Sequence, residues 1–208
     1  LAADPKVRVI VLRGKGSHFQ AGADLKWINE ISARSDADNL AVSKNTTDAV
    51  RFLDSCPKPT IALVHGACVG GGTGIAAACD IVIASEDAFF SIAEVRWGLH
   101  AGPILPQLAA AMGTRNHRRY AITGERFDAR TAQALGLVHE VCATGELEAT
   151  AAPVIDSILK NGPDAIADTK QIIFDTSNLA IDDDLALELA RDHARKRLTE
   201  EAAEGLRS

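Results

Sequence analysis

Short apolar runs rich in β-branched residues alternate with segments of helical spacing over the first two thirds of the chain. The runs have the length and composition of buried strands, and they lie at 7–12, 59–64, 81–85 and 88–92. Helical spacing occurs at 24–34 and 35–56, and a short helix of small residues is predicted at 72–79. Strands that alternate with helices in this way indicate an α/β fold with mainly parallel strands.

From Pro103 onward the pattern becomes almost entirely helical. One brief strand is predicted at 138–141, and helices are predicted at 106–112, 114–123, 128–135, 146–160, 163–176 and 182–197. This last part has too little sheet of its own, so it should pack on the core or on another subunit. We therefore divide the chain into a core, residues 1–140, and a helical C-terminal region, residues 141–208.

Charge and cysteine content bear on which partners and which cellular compartment the protein is expected to have. The 208 residues carry a formal charge of −6, which does not favour nucleic acid, because phosphate binding depends on Lys and Arg. The four cysteines form no CxxC pair, so buried free thiols in a reducing compartment are expected, and we predict a cytoplasmic protein. The longest apolar run, 75–84, contains Asp80 and is too short to span a membrane, which takes ~20 residues.

A glycine cluster, 70–74, lies between a predicted strand and a predicted helix. Glycines there let the backbone approach a ligand closely, and the start of the helix favours an anion. Tight packing of the helix on the strand is an equal alternative. A second alternative is a dinucleotide-binding fingerprint, because Gly72, Gly74 and Ala77 have the required spacing. The turn before it is long and the helix after it is short for that fold.

Glu94 follows the strand predicted at 88–92 and has apolar neighbours. A carboxyl group in such surroundings can have a raised pKa, which suits a general acid or base. An ion pair with Arg96, or a simple surface acid, explains the residue equally well. The histidines show no spacing typical of metal ligands, and we predict no metal site.

Two further motifs precede predicted helices. In Ala21–Leu25, small residues come before a helix, and Asp24 is a candidate N-cap. Asp128 is the corresponding N-cap candidate in Thr123–Ala129. Either motif alone indicates no more than the start of a helix.

Together, in this order and spacing, the motifs resemble those of the enoyl-CoA hydratase/isomerase (crotonase) superfamily. The resemblance rests on AGADL at 21–25, PKPTIALVHGACVGGG at 57–72, ACDIVIASEDAFFSIAEVRWGL at 78–99 and TGERFDARTAQALGLVHEV at 123–141. We expect the first strands of the superfamily and its last C-terminal stretch to be missing from this chain.

The resemblance implies a spiral of β-β-α turns with a helical C-terminal trimerisation region. It implies an acyl-CoA substrate, no cofactor beyond the coenzyme A of that substrate, no nucleic-acid or membrane partner, and a homotrimer or hexamer. The site residues that it implies are Glu94 as the catalytic acid/base, the backbone N–H groups of Ala23 and Gly71 as an oxyanion hole, and Ala21, Asp24 and Leu25 at the coenzyme.

Two departures from the superfamily pattern bear on the reaction. Gly74 stands where typical hydratases carry a first glutamate, and 100–107 replaces a glycine-rich loop. The pattern is more similar to hydratases of branched glutaconyl-CoA thioesters, of the methylglutaconyl or isohexenylglutaconyl type. We therefore predict hydration of a branched or dicarboxylic enoyl-CoA. Gly74, Trp97 and His100 are the candidates for the acyl pocket, and His100 or Arg96 could face a second carboxylate.

Other reactions stay open at this point. The resemblance to the superfamily also allows double-bond isomerisation, thioester hydrolysis or decarboxylation. A non-catalytic acyl-CoA-binding relative, whose site was lost with the first glutamate, is the alternative outside enzymes.

Overall fold

The computed structural model describes residues 1–177 and 182–205. Within them the strands are β1 Ile10–Arg13, β2 Thr60–Val64, β3 Ala67–Val69, β4 Ile81–Ser85, β5 Phe89–Ser91, β6 Phe127–Asp128 and β7 Glu140–Cys142. The helices are α1 Leu25–Ser32, α2 Asp36–Asp54, α3 Gly71–Ala77, α4 Leu105–Met112, α5 Thr114–Thr123, α6 Ala129–Ala134, α7 Leu147–Leu159, α8 Pro163–Thr176, α9 Asp183–Lys196 and α10 Glu200–Gly205. Short 3-10 helices cover Glu94–Trp97 and Gly102–Ile104.

The strands form two sheets. The larger has the order β1-β2-β4-β7, and β4 pairs in parallel with both β2 and β7. The smaller has the order β3-β5-β6, with β3 and β5 parallel and β6 antiparallel to β5. The predicted α/β class with mainly parallel strands is thus confirmed.

The central strands are apolar because both of their faces are covered. All five residues of β2 are buried, and so are four of the five in β4. Parallel strands covered on both faces read as continuous apolar runs, which is the pattern that predicted them. Thr60 at the start of β2 donates its N–H and its hydroxyl to the Asp80 carboxylate, both at 2.8 Å. Asp80 therefore fixes the point at which β2 and β4 begin to pair.

The chain divides into two compact units. One comprises residues 11–54 and 60–154, and the other comprises residues 1–10, 55–59 and the described part of 155–208. The domain boundary predicted at residue 140 falls at the start of β7, which pairs with β4. The larger unit therefore extends past that boundary, to Val154.

In the smaller unit, helix α8 begins against a carboxylate. Glu201 accepts hydrogen bonds from the N–H groups of Asp164 and Ala165, each at 2.8 Å, and Lys196 lies 3.2 Å from the same carboxylate. A negative charge at a helix start satisfies N–H groups that have no partner within the helix. No helix in the part of the chain that the structure describes is both long and apolar enough to cross a membrane.

Two helices have the predicted bounds, α5 at 114–123 and α8 at 163–176. The first strand does not: it was predicted from Val7, but it begins at Ile10, whose N–H donates to the carbonyl of Pro59. Pro57 and Pro59 have no N–H to offer, so the ladder cannot continue further back. Strand β3 lies between the strand predicted at 59–64 and the glycine cluster, where we predict no strand. Its three residues are too few to form a recognisable pattern.

Candidate active site

Three parallel segments of chain end side by side near the glycine cluster. Gln20 forms a parallel bridge with Cys68 in β3: its N–H donates to the Ala67 carbonyl at 3.0 Å, and its carbonyl accepts from Val69 at 2.9 Å. On the other side β3 pairs in parallel with β5. Carboxyl ends of parallel segments meet at one edge of a sheet, and this is where ligands of α/β proteins commonly bind.

The three residues predicted to act in catalysis all follow these segments. Ala23 comes three residues after Gln20, Gly71 three residues after Cys68, and Glu94 three residues after the end of β5. The sequence separates them by up to 71 positions, so it is the pairing of strands that brings them to one edge.

The side chain of Gln20 holds the first of these segments in place. Its Oε1 accepts a hydrogen bond from the N–H of Gly22 at 2.8 Å, and the same atom lies 2.8 Å from where a Cβ of Gly72 would be. Any side chain at position 72 would therefore push this segment away. The glycine permits the close approach of two backbones, the packing role considered for it above.

Gly70 carries the chain from β3 into helix α3. Its φ of +59° lies in the region that favours glycine, and its N–H donates to the Ser91 carbonyl at 2.8 Å. A Cβ at this position would lie 3.1 Å from Oε1 of Glu94. The Glu94 carboxyl group therefore rests against the backbone that leads into α3.

Two backbone N–H groups at this edge of the sheet have no acceptor among the described residues. Gly71 is the first residue of α3, and no hydrogen bond among residues 1–177 and 182–205 uses its N–H or that of Ala23. The space next to the Cα of Gly71 is open for at least 4 Å, and Ala23 is exposed. Both N–H groups are therefore available to a ligand.

The surroundings of Glu94 favour the neutral form of its carboxyl group. Burial raises its pKa above the usual range, and a hydrogen bond from its own backbone N–H opposes that shift less strongly. Its Oε2 is buried and has no hydrogen-bond partner. No ion pair joins Glu94 to Arg96 in the described structure. The side chain of Arg96 instead packs against Gly124, where a Cβ would lie 3.2 Å from its Nε.

Comparison with known proteins agrees with this arrangement. The family model "Enoyl-CoA hydratase/isomerase" matches residues 1–207. The chain belongs to the enoyl-CoA hydratase/isomerase family. The crystal structure of an enoyl-CoA hydratase from Shewanella pealeana is 37% identical, with a TM-score of 0.95 over 99% of this chain and 77% of that one. The predicted crotonase fold is therefore confirmed.

Curated relatives cover more than one reaction. The peroxisomal Δ(3,5)-Δ(2,4)-dienoyl-CoA isomerase of Arabidopsis thaliana is 35% identical over 196 residues, which are 89% of this chain and 70% of the isomerase. A mevalonyl-coenzyme A hydratase of Aspergillus fumigatus is 37% identical over 168 residues, 80% of this chain and 61% of the hydratase. The family membership thus allows hydration and isomerisation alike.

Position 74, where the resemblance predicts a first glutamate in typical hydratases, has no room for a side chain here. A Cβ on Gly74 would lie 2.1 Å from Cγ2 and 2.4 Å from Cβ of Ile104. Gly74 is buried in α3, and Ile104 is 2% exposed. The isoleucine covers the face of the helix from which a second carboxylate would project.

The other acyl-pocket candidates lie on the surface of the chain. Trp97 is 61% exposed, and His100 is exposed and accepts a hydrogen bond from the Gly102 N–H at its Nδ1, at 3.2 Å. Both follow Glu94 directly in the chain, and their contact with an acyl group stays a prediction.

The residues predicted at the coenzyme lie around the start of α1. Ala21, Asp24 and Leu25 are all exposed. The Asp24 carboxylate accepts from the Lys26 N–H at 2.8 Å, so its predicted N-cap role is confirmed. Contact with coenzyme A stays a prediction.

Sequence reasoning missed the roles of Gln20 and Ile104. Gln20 belongs to no predicted element, and its only signal is a position just before the AGADL motif. Ile104 lies in a loop whose departure from the superfamily pattern is visible, but the sequence does not show that it covers Gly74.

Proposed function

We propose that this chain adds water across the conjugated double bond of an enoyl-CoA thioester with a branched or dicarboxylic acyl group. The observation that carries the proposal is the placement of the Glu94 carboxyl group against Gly70, directly before the unpaired N–H of Gly71. Ala23 provides the second N–H at the same edge of the sheet.

The two N–H groups would bind the thioester oxygen. When a nucleophile adds to the β-carbon, electrons move through the double bond to that oxygen and an enolate forms. Donors fixed in advance stabilise the new charge without reorganisation, and a single donor of this kind contributes about 3 kcal/mol. Gly71 and Ala23 are held by strand pairing and by the start of α3, so they meet this requirement.

Glu94 would serve both proton transfers. Its carboxylate takes a proton from water while the hydroxide adds to the β-carbon. The protonated carboxyl group then gives its proton to the α-carbon as the enolate returns to the thioester. The balance is one water added and Glu94 restored. A raised pKa suits this cycle because the group must gain and lose a proton near neutral pH.

The choice of acyl group rests on the name of one relative and on the motif pattern. The mevalonyl group in the name of the Aspergillus relative is branched. The motif pattern, with Gly74 in place of the first glutamate, resembles that of hydratases for branched glutaconyl thioesters. A second carboxylate on the substrate would need a partner, since an unpaired buried charge is costly. His100 and Arg96 are the candidates for it.

Isomerisation is the second candidate. Ile104 leaves no room for a carboxylate at position 74, and a single carboxylate can move a proton from one carbon to another without adding water. The Arabidopsis relative is named for such a reaction. In that case Glu94 would remove a proton from the substrate rather than from water.

One set of assays separates these reactions. Purified protein is incubated with 3-methylglutaconyl-CoA, crotonyl-CoA and a 3,5-dienoyl-CoA in isotopically labelled water, with Glu94→Gln as the control. Hydration removes the conjugated absorbance and places labelled oxygen in the product, whereas isomerisation shifts the absorbance without it. Release of free CoA or carbon dioxide would indicate hydrolase or decarboxylase chemistry. Tight thioester binding with no turnover would indicate a non-catalytic relative.

We also propose that coenzyme A contacts Ala21, Asp24 and Leu25, and that the chain forms a trimer or a dimer of trimers. Apolar side chains on α8 and α9 support the second point, since Ile173 is 62% exposed and Leu187 is 49% exposed. Light scattering after gel filtration gives the mass of the assembly directly.

A further inference from the structure

The segment from Glu94 to Ile104 contacts two glycines: Gly70, which directly precedes helix α3, and Gly74 within it. Its first residue places a carboxyl oxygen 3.1 Å from the Cβ position of Gly70, and its last places a methyl carbon 2.1 Å from that of Gly74. Gly71 follows the first of these glycines directly and begins the helix that contains the second. The segment therefore packs against the chain on both sides of the Gly71 N–H.

The contact at Gly74 is rigid. Ile104 is 2% exposed, and its N–H donates to the carbonyl of Ala101, which is also buried. Its branch at Cβ restricts χ1, and two of its carbons, Cβ and Cγ2, face the glycine. The end of the segment cannot shift along α3 without losing this contact.

The rest of the segment transmits that constraint to Glu94. The Leu99 N–H donates to the Glu94 carbonyl at 3.2 Å, and Gly98 closes the 3-10 helix with a φ of 70°. By contrast, Oε2 of Glu94 has no hydrogen-bond partner in the described structure. The position of the carboxyl group thus depends on packing rather than on a hydrogen bond to Oε2.

We infer that Ile104 is a positioning residue for Glu94. By packing against Gly74, it fixes where the Glu94 carboxyl group lies relative to the Gly71 N–H. Ile104 does not need to touch the substrate for this role. The kinetic part of the inference rests on the proposed function, in which the carboxyl group and the N–H act on the same thioester.

The first experiment compares two core truncations. Ile104→Ala removes the Cγ2 methyl group that lies nearest to Gly74. Leu108→Ala, at a fully buried position in α4, removes a similar volume elsewhere in the core. Displacement of a reacting group by about 1 Å can cost about 10²-fold in rate. We expect kcat of Ile104→Ala to fall by about that factor, with thioester Kd within about twofold of wild type. Leu108→Ala should lower stability but keep kcat.

Ile104→Val is the conservative variant. It retains both carbons that face Gly74, so it should keep most of the wild-type kcat. A purely structural role for Ile104 would instead lower the kcat of Ile104→Ala and Leu108→Ala alike, or of neither, and either result would overturn the inference.

The second experiment tests the contact from the helix side. Gly74→Ala places a methyl group in the space of Ile104, so it should displace the segment and lower kcat. In the double variant with Ile104→Gly, the new methyl group has room. The yield of soluble folded protein should therefore recover, even though Glu94 remains poorly placed. Equal folded yields of Gly74→Ala with and without Ile104→Gly would show that the two positions do not interact.

A third measurement needs no turnover. Carboxyl-labelled Glu is introduced, and the signal of Glu94, assigned by its loss in Glu94→Gln, is titrated by NMR. We expect Ile104→Ala to move the midpoint toward that of an ordinary glutamate, and Leu108→Ala to leave it unchanged. An unchanged midpoint in Ile104→Ala would count against the positioning role. If the wild type turns over no thioester, the proposed function fails, while this titration still decides the role of Ile104.

Discussion

At the scale of single residues, the protein places one carboxyl group where its ionised form is disfavoured. Burial raises the pKa of Glu94, and the buried Oε2 has no partner. Groups with shifted pKa values cluster at functional sites, because they can exchange protons near neutral pH. The local sequence indicated this much, since Glu94 has apolar neighbours on both sides.

Glu94→Gln preserves the shape of the side chain and removes its titration. Turnover should fall by roughly 10²- to 10⁴-fold, the usual contribution of a general acid or base, while thioester binding stays near that of wild type. The measurement is steady-state kinetics together with calorimetric binding of the product thioester. Retention of most turnover would exclude Glu94 as the catalytic group.

The same substitution should reveal the raised pKa as a change in stability. The folded state holds the Glu94 proton from the ordinary pKa of about 4.3 up to its own higher value. Because the folded state binds more protons over this window, wild type loses stability relative to Glu94→Gln as the pH rises through it, and the difference then levels off. Urea unfolding of both proteins between acidic and neutral pH measures this. If wild type instead gained stability relative to Glu94→Gln as the pH rises, the folded protein would favour the ionised form of Glu94.

The two neighbouring glycines should respond differently to substitution. Gly71 has an ordinary φ and open space beside it, so Gly71→Val should fold normally but obstruct the thioester, with a loss of about 10²- to 10³-fold in turnover. Gly70 has a positive φ and faces Glu94, so Gly70→Ala should lower the melting temperature as well as the rate. Wild-type turnover by Gly71→Val would remove its N–H from the oxyanion hole.

At the scale of elements, the starts of two helices offer a matched pair. The carboxylate of Asp24 caps α1 and that of Asp128 caps α6, which it does by accepting from the Thr131 N–H at 2.7 Å. Replacement of an N-cap by Ala typically costs ~1 kcal/mol. Of the two helices, α1 directly follows the N–H of Ala23.

Asp24→Ala and Asp128→Ala should therefore lose similar stability, by about 1 kcal/mol in chemical denaturation, but only Asp24→Ala should also lower turnover. Asp24→Ser keeps a capping oxygen and removes the charge. If turnover depends on the N-cap, Asp24→Ser should recover the wild-type kcat. If the Asp24 charge contacts coenzyme A, both Asp24→Ala and Asp24→Ser should have a raised KM for the thioester. Equal turnover in all three variants would show that the start of α1 has no part in the site.

The elements that could be predicted are the long ones. Helices α5 and α8 have a clear period and clear ends, since Gly124 follows the first and Pro163 begins the second. Strands β3 and β6 have three and two residues, too few for a period to show. They exist because β5 lies between them, and such pairing between distant segments leaves no local signal.

At the scale of the whole molecule, the motifs indicated the family and Glu94 as the candidate acid/base, but not the packing around that residue. The bridge between Gln20 and Cys68 and the contact between Ile104 and Gly74 join residues that are 48 and 30 positions apart. Neither pair has a distinctive spacing or composition. The place of Ile104 depends on the whole buried core, and only the folded chain shows it.

The reactivity of the four cysteine thiols measures how readily that core opens. All are free: Cys56, Cys68 and Cys79 are buried, and Cys142 is partly exposed. Burial, reinforced by the nearby Cys79, raises the pKa of the Cys68 thiol, so this thiol should be inert in the folded state. With a thiol reagent at neutral pH we expect only Cys142 to react quickly, and all four to react in urea. Rapid reaction of Cys68 in the native protein would mean that the strand beside the site opens readily.

The contact between Ile104 and Gly74 also restricts the order in which this sequence can change. No side chain can appear at position 74 while isoleucine fills the space above it, so a mutation from Gly74 to an acid is harmful when it comes first. The mutation to a smaller residue at position 104 must therefore precede the mutation at position 74. That first mutation removes the contact with α3 that holds the segment carrying Glu94. A second carboxylate is therefore separated from the present sequence by an intermediate with a weaker site. In a library randomised at both positions and selected for folded protein, side chains at 74 should survive only together with Gly at 104.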